Sequence, residues 1–358
     1  MFAFTSMGGN IDKTINKGEG PYVFRINGQI HHRIGSLLPK PNKIPKFVEL
    51  YIFDTKNEIE NRIRALSKED PDGTDLNPAI MEGLQKRLDE CNPLVKVFRH
   101  ARDLLEEHKG IDVSIRIIGA DKGDQIQYKM PHPEELAMLI IGDMTLENYK
   151  RDIIVSTRTK TLQHISIFHP AYMPLQYPLL FPYGEDGFHE KLEYRRCRRS
   201  TAIKRKNVTM LEFYTYRLHD RINDFNTPLR GKQLTQAYIV DAYCCVEDGR
   251  LSHFRNQTFQ AKYRTASYKS LQHAVSAGLT EAADAGQSLY LPGSFIGGPR
   301  WYYQNYQDCV ALCRRFGCPD LFVTFTCNAC WPEIAEALST TPGQHPSDRP
   351  DIVDEYSK

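Results

Sequence analysis

The apolar positions of this chain follow two periodicities, and the stretches between them follow neither. Leu94, Val97, Phe98, Ala101, Leu104 and Leu105 recur at helical spacing behind Asn92-Pro93, a capping residue with proline at the first helical position. Asn77-Pro78 opens a shorter helix over 77–90 in the same way, and residues 55–109 as a whole read as helical. Strand patterns lie on both sides of that block. PYVFRING (Pro21–Gly28) and KFVELYIFD (Lys46–Asp54) have the β-branched and aromatic content of strands, with Gly, Pro and Asn clusters between them. Past Gly110, IDVSIRII and RDIIVSTR alternate, Leu136–Ile141 is the longest uncharged apolar run, and LQHISIFHP adds another strand.

AYMPLQYPLLFPYGEDG then carries Pro174, Pro178 and Pro182, which forbid a long helix; its aromatic residues predict a packed irregular segment. Beyond residue 207 the chain turns helical. Thr209 and Glu212 are placed to form a capping box ahead of MLEFYTYRLHDRI. Helices are expected over 232–256, 261–277 and, after the GGP breaker, 300–316. PDLFVTFTCN then reads as a buried strand and WPEIAEAL as a short closing helix, with a polar, proline-rich end from Thr341. The fold class expected is α+β: a strand-rich N-terminal region over 1–190, a basic linker at 191–207, and a mostly helical domain over 208–358 leading into an incomplete nuclease-type sheet.

Charge alters this picture at one place. Over 358 residues, 46 Lys+Arg and 44 Asp+Glu leave a net charge of only +2, which argues against a uniformly basic DNA-coating protein. Within 191–206, however, Lys191, Arg195, Arg196, Arg198, Arg199, Lys204, Arg205 and Lys206 face a single acid, Glu193. That density suits several phosphates, or a nuclear localisation signal; the plainer reading is a solvated basic loop. Phe188, Tyr194, Phe213, Tyr214 and Tyr216 lie close by in sequence. They can stack on single-stranded bases, but most are expected to anchor the following helix in its core.

Nine cysteines, unevenly spaced, fit a reducing compartment. Cys309 and Cys313 sit one helical turn apart, and Cys327 and Cys330 have zinc-ligand spacing, so a zinc site is one reading; buried free cysteines, Cys318 among them, are the other. The 12 histidines form no His-x-His pair and no His-Glu-x-x-His. No phosphate loop, dinucleotide fingerprint or nucleophile elbow is present. No secretory signal or membrane-length apolar run is found.

Longer strings carry a resemblance. FAFTSMGGNIDKTINKGEGPYVFRINGQIHHRIGSLLP, SIFHPAYMPLQYPLLFPYGEDGFH, VTMLEFYTYRLHDR and LPGSFIGGPRWYYQNYQDCVALCRRFGCPDLFVTFTCNACWPEI resemble plant Helitron transposon proteins, the last two their helicase-like N-terminal domain. The resemblance implies a replication-initiator nuclease joined to a C-terminal helicase, acting in rolling-circle transposition. A His-hydrophobic-His pair would hold a divalent metal, tyrosines would attack a DNA phosphodiester, and ATP would drive the helicase.

It also implies that the His pair and tyrosines follow the FVTFTCN strand, downstream of anything in this sequence. Tyr356, with no His pair beside it, is not read as a nucleophile. The expectation is therefore a truncated, nuclear, DNA-binding fragment, its partner single-stranded DNA. It would have no cofactor and no catalytic residue of its own. Part of an active nuclease and a decayed remnant are the competing expectations.

Overall fold

In the computed structural model of the chain, Phe2 and Phe4 sink into the interior at 3% and 0% exposure, so the first residues are core rather than tail. The structure describes residues 1–17, 22–28, 30–67, 76–107, 113–117, 137–141, 153–156, 162–194, 205–221, 224–255, 291–321, 323, 327–339 and 343–356. They divide into two units, one of residues 1–244 with 330–356 and one of residues 245–329.

The first unit begins with short strands. β1 (Ser6–Met7) pairs antiparallel with β4 (His32–Ile34), and β2 (Asn10–Ile11) pairs with β3 (Ile26–Asn27). In β4 the side chains alternate, His32 and Ile34 buried and Arg33 half-buried, as one covered face requires. Among the described residues of PYVFRING, Ile26 and Asn27 are strand.

The strand expected over Lys46–Asp54 is instead a 3₁₀ turn, Phe47–Tyr51. Glu49 causes this: its carboxylate accepts the Lys46 N–H at 2.9 Å while its own N–H donates to the Lys46 carbonyl at 3.1 Å. Leu50, Tyr51 and Ile52 are then buried consecutively, at 3%, 1% and 5%, which no one-sided strand permits.

α1 (Glu58–Ser67), α2 (Pro78–Cys91) and α3 (Pro93–Glu107) follow. Asn77 Oδ1 accepts from the Ala79 N–H at 2.9 Å, and Asn92 Oδ1 from the Leu94 N–H at 2.9 Å, as the Asn-Pro pairs predict. Asn92 also donates Nδ2–H to the Phe181 carbonyl at 3.2 Å, so one cap both starts α3 and ties it to the proline-rich segment. The buried stripe Leu94, Val95, Phe98 and Ala101 faces a second sheet. Its strands are β5 (Val113–Ile117), β6 (Ala137–Ile141) and β7 (Ile153–Ser156), in the antiparallel order β6-β5-β7. Val113, Ile115 and Ile117 alternate into the core at 1%, 0% and 2%.

β8 (Gln163–His164) closes the first sheet against β4 and is all the strand that LQHISIFHP retains. α4 (Tyr172–Gln176) is five residues long, and around it Tyr172, Met173, Leu175, Tyr177, Leu180 and Phe181 are all buried. The segment that carries the three prolines is thus packed core with one five-residue helix rather than a long one. Gly187 is required here, because a Cβ at that position would lie 2.8 Å from the Pro170 carbonyl oxygen.

α5 (Met210–Leu218) buries Met210 and Tyr214, and α6 (Gln233–Phe254) buries Tyr238, Asp241 and Ala242 within this unit. Tyr238 packs edge-on to Tyr177 and Phe181, each at 5.7 Å between centroids. An aromatic core therefore joins α6 to the proline-rich segment. The second unit contains the end of α6 and α7 (Pro299–Phe316), which ends where Gly317 adopts φ +89°. Phe254 and Phe295 meet there at 6.0 Å.

Of the strand expected at PDLFVTFTCN, Leu321 and Val323 lie outside any strand, at 82% and 69% exposure; residues 322 and 324–326 lie outside the described set. So does the helix expected over 261–277.

α8 (Pro332–Ser339) and α9 (Pro350–Tyr356) return to the first unit and pack on each other through Ile334, Leu338 and Ile352. The polar end of the chain is therefore partly helical. It is tied back by the Lys232 Nζ–H to the Gly343 carbonyl at 3.0 Å and by Arg349 to Asp220 at 3.1 Å. No described helix is long and apolar enough to cross a membrane.

Candidate nucleic-acid interface

The basic segment grows from a short antiparallel ladder. The Tyr194 N–H donates to the Lys206 carbonyl at 3.2 Å and the Val208 N–H to the Leu192 carbonyl at 2.8 Å, with Glu193 opposite Asn207. The Asn207 amide adds a bond to the Glu190 carbonyl at 2.8 Å. Residues 192–194 and 206–208 are thus held side by side inside the first unit. Arg195, Arg196, Arg198, Arg199 and Lys204 lie outside the described residues.

Three of the eight cations can be placed. Lys191 is half-buried and acts electrostatically on His189, where burial, the largest influence, holds the imidazole below its ordinary value, Asp186 opposes that, and Lys191 reinforces it. Lys206 Nζ lies 2.7 Å from Glu193 Oε1 and Arg205 Nη2 lies 3.4 Å from Glu212 Oε1. Their side chains are 59% and 66% exposed. Ion pairs this exposed contribute about 0–1 kcal/mol and are screened by salt, so either cation can exchange its carboxylate for a phosphate at little cost.

Glu212 organises this end of α5. It accepts from the Thr209 hydroxyl at 2.7 Å, the Thr209 N–H at 2.8 Å and the Tyr194 hydroxyl at 2.8 Å, while the Glu212 N–H returns to Thr209 Oγ1 at 3.3 Å. The capping box expected from the sequence is therefore formed, and it also clamps the ladder. These bonds, Thr209's first, lower the Glu212 carboxyl to about 2, and Arg205 adds a smaller effect in the same direction.

The aromatic residues near the segment divide. Phe188 and Tyr214 are buried, at 6% and 3%, and Phe213 packs between them at 5.9 and 5.4 Å. Tyr216 faces outward, 61% exposed. Arg221 lies over its ring, 4.1 Å from the centroid, and Arg230 lies likewise over Phe225 at 4.5 Å. The sequence reading did not single out Arg221, Phe225 or Arg230. A repeated aromatic-x₄-Arg spacing, Tyr216 to Arg221 and Phe225 to Arg230, is the signal that could have found them.

Cys309 is exposed and Cys313 half-buried on α7; Cys327 is half-buried and Cys330 and Cys318 are exposed. Among the described residues no group of three or more His, Cys, Asp or Glu side chains is arranged to hold a metal ion.

No curated protein and no solved structure matches the chain. Residues 213–356, less than half of the sequence, match the protein family described as Helitron helicase-like domain at N-terminus. That match takes in Tyr216 and Phe225 with their arginines and the helices α6 to α9, so this part of the chain is similar to the Helitron helicase-like N-terminal domain.

Proposed function

We propose that this chain binds DNA, with a preference for single strands, through the basic segment 191–206. The observation that carries the reading is a run of eight cations with one acid, rooted at its two ends by the Leu192–Tyr194 and Lys206–Val208 pairings. Charges this close together in sequence can meet several phosphates of one strand. Each phosphate neutralised releases counterions, so log affinity falls with log salt at a slope of about 0.7 per contact on a single strand. For about five contacts the expected slope is about −3 to −4. The same segment suits a nuclear import signal, and the reading takes the nucleus as its place of action.

Within these 358 residues the reading assigns binding and no bond-breaking step. The sequence has no His-x-His pair to carry a metal against a phosphodiester, and no phosphate loop for ATP. Fluorescence anisotropy of a labelled oligonucleotide across a salt series tests the binding. Changing Arg195, Arg196, Arg198 and Arg199 to Gln should flatten the slope by about 2 to 3 units; unchanged affinity and slope would remove the segment as the contact. Incubation with Mn²⁺ and single-stranded DNA should yield neither cleavage nor a protein-linked strand. A tyrosine-linked adduct would overturn the second half of the reading.

A further inference from the structure

Two like units stand at the C-terminal end of α5. In each, a guanidinium covers one face of an aromatic ring: Arg221 on Tyr216 at 4.1 Å, Arg230 on Phe225 at 4.5 Å. The rings are nevertheless 61% and 71% exposed. Asn226 keeps the two units together, since its Nδ2–H groups reach the Arg217 carbonyl at 2.9 Å and the His219 carbonyl at 3.2 Å, folding the segment back onto the helix end. Arg221 is held in plane by Asp224, 3.1 Å from its Nε, and by the Tyr216 carbonyl. Single exposed apolar residues are ordinary on any surface. Two exposed rings, each backed by an arginine and fixed at one place, are a different matter, because π-faces and guanidinium planes are what unstacked bases pack against.

The surrounding charge agrees. From 205 to 232 there are six cations and three acids. The ladder that roots the basic segment lies at the other end of α5, whose nine residues span about 13 Å. That is the length of about four nucleotides at a 3.4 Å rise.

We infer that Tyr216–Arg221 and Phe225–Arg230 form a stacking platform for the bases of single-stranded nucleic acid whose phosphates are held at the basic segment. The inference rests on the DNA-binding reading and deepens it, since duplex bases are already stacked on one another and offer these rings no free face.

The test uses the full chain carrying Tyr216→Ala, Phe225→Ala or both, with a labelled oligo-dT and an abasic strand of equal length as probes. Each ring removed should weaken oligo-dT binding roughly tenfold, leave the salt slope unchanged, and leave duplex and abasic binding where they were. Tyr216→Phe keeps the π-face and should bind like the wild type. Both rings are exposed, so the variants should melt with the wild type, which separates lost stacking from lost fold. If the wild type binds oligo-dT with a steep salt slope and the alanine variants bind equally well, the platform is refuted and the basic-segment reading survives. Equal wild-type affinity for the abasic strand refutes the platform in the same way. A wild type that binds no strand refutes both.

Discussion

Asp241, on α6, takes His32 Nε2 at 2.7 Å, and neither side chain has any exposed surface. The other ring nitrogen, Nδ1, faces the Tyr172 carbonyl at 3.2 Å and must donate to it, since a carbonyl only accepts. Tyr177 adds its hydroxyl to the same carboxylate oxygen of Asp241 at 2.9 Å, and Tyr172 stacks on the imidazole at 3.8 Å. This network joins β4, the proline-rich segment and α6, three parts of the chain remote in sequence.

Removing one member leaves the other buried without its partner. His32→Ala should cost about 3 to 5 kcal/mol, read as a lower midpoint in urea unfolding. Replacing His32 and Asp241 together by leucine should cost distinctly less than the sum of the single changes, because no charge is then stranded. Additive losses would show that the two side chains are not coupled.

A second buried cluster should break unevenly. Glu58 Oε1 accepts from Arg62 Nε at 2.9 Å and Oε2 from Gln85 at 2.9 Å, while Arg99 Nη1 lies 2.8 Å from the carboxylate. Arg62, 1% exposed, also donates to the Met1 carbonyl at 2.7 Å and lies 4.4 Å over Tyr51. Glu58→Ala strands the buried Arg62 and should cost about 3 to 5 kcal/mol. Arg62→Met leaves Glu58 with Arg99 and Gln85, and should cost about half as much by the same unfolding measurement. The opposite ranking would mean that the contact to the Met1 carbonyl, rather than the carboxylate, dominates.

Acid should loosen the ladder that roots the basic segment. Glu212 is lowered from 4.5 to about 2 in the fold, chiefly by its bonds to Thr209. A depressed carboxylate contributes stability that is present above its unfolded value and lost as pH falls through the folded one. The protection of the Tyr194 and Val208 amides, relative to their intrinsic exchange at each pH, should therefore fall between pH 4.5 and 2. Glu212→Gln should remove most of that dependence; an unaltered profile would separate the clamp from the ladder.

Alkali should act through Tyr51. Burial, the largest influence, raises its phenol from 10.0 to about 12, and the hydroxyl donates to the Phe2 carbonyl at 2.6 Å. A raised value means that stability is present below the unfolded value and lost as pH rises through the folded one. Stability should fall between pH 10 and 12, and more shallowly in Tyr51→Phe, which has no proton to lose. Equal slopes in the two proteins would show that Tyr51 ionises as readily folded as unfolded.

Local chemistry was legible wherever a few neighbouring residues suffice. Asn77, Asn92 and Thr209 specify helix starts because each satisfies orphan N–H groups within three residues of itself. The alternation Val113, Ile115 and Ile117 specifies a strand because one face must be covered. The expected strand over Lys46–Asp54 became a turn because the Glu49 carboxylate captured a nearby N–H, a competition that β-branched content does not record.

By itself the sequence determined the class of elements, the proline-interrupted core, the basic segment and the family resemblance, since all of these depend on residue type and short spacing. Tertiary structure alone decided which aromatic residues are core and which are surface: Tyr214 and Tyr216 share one helix, yet their exposures are 3% and 61%. It alone brought His32 to Asp241 as well, 209 positions apart. Helical periodicity states that a side chain has a face, but only the elements packed around a helix determine which face water reaches.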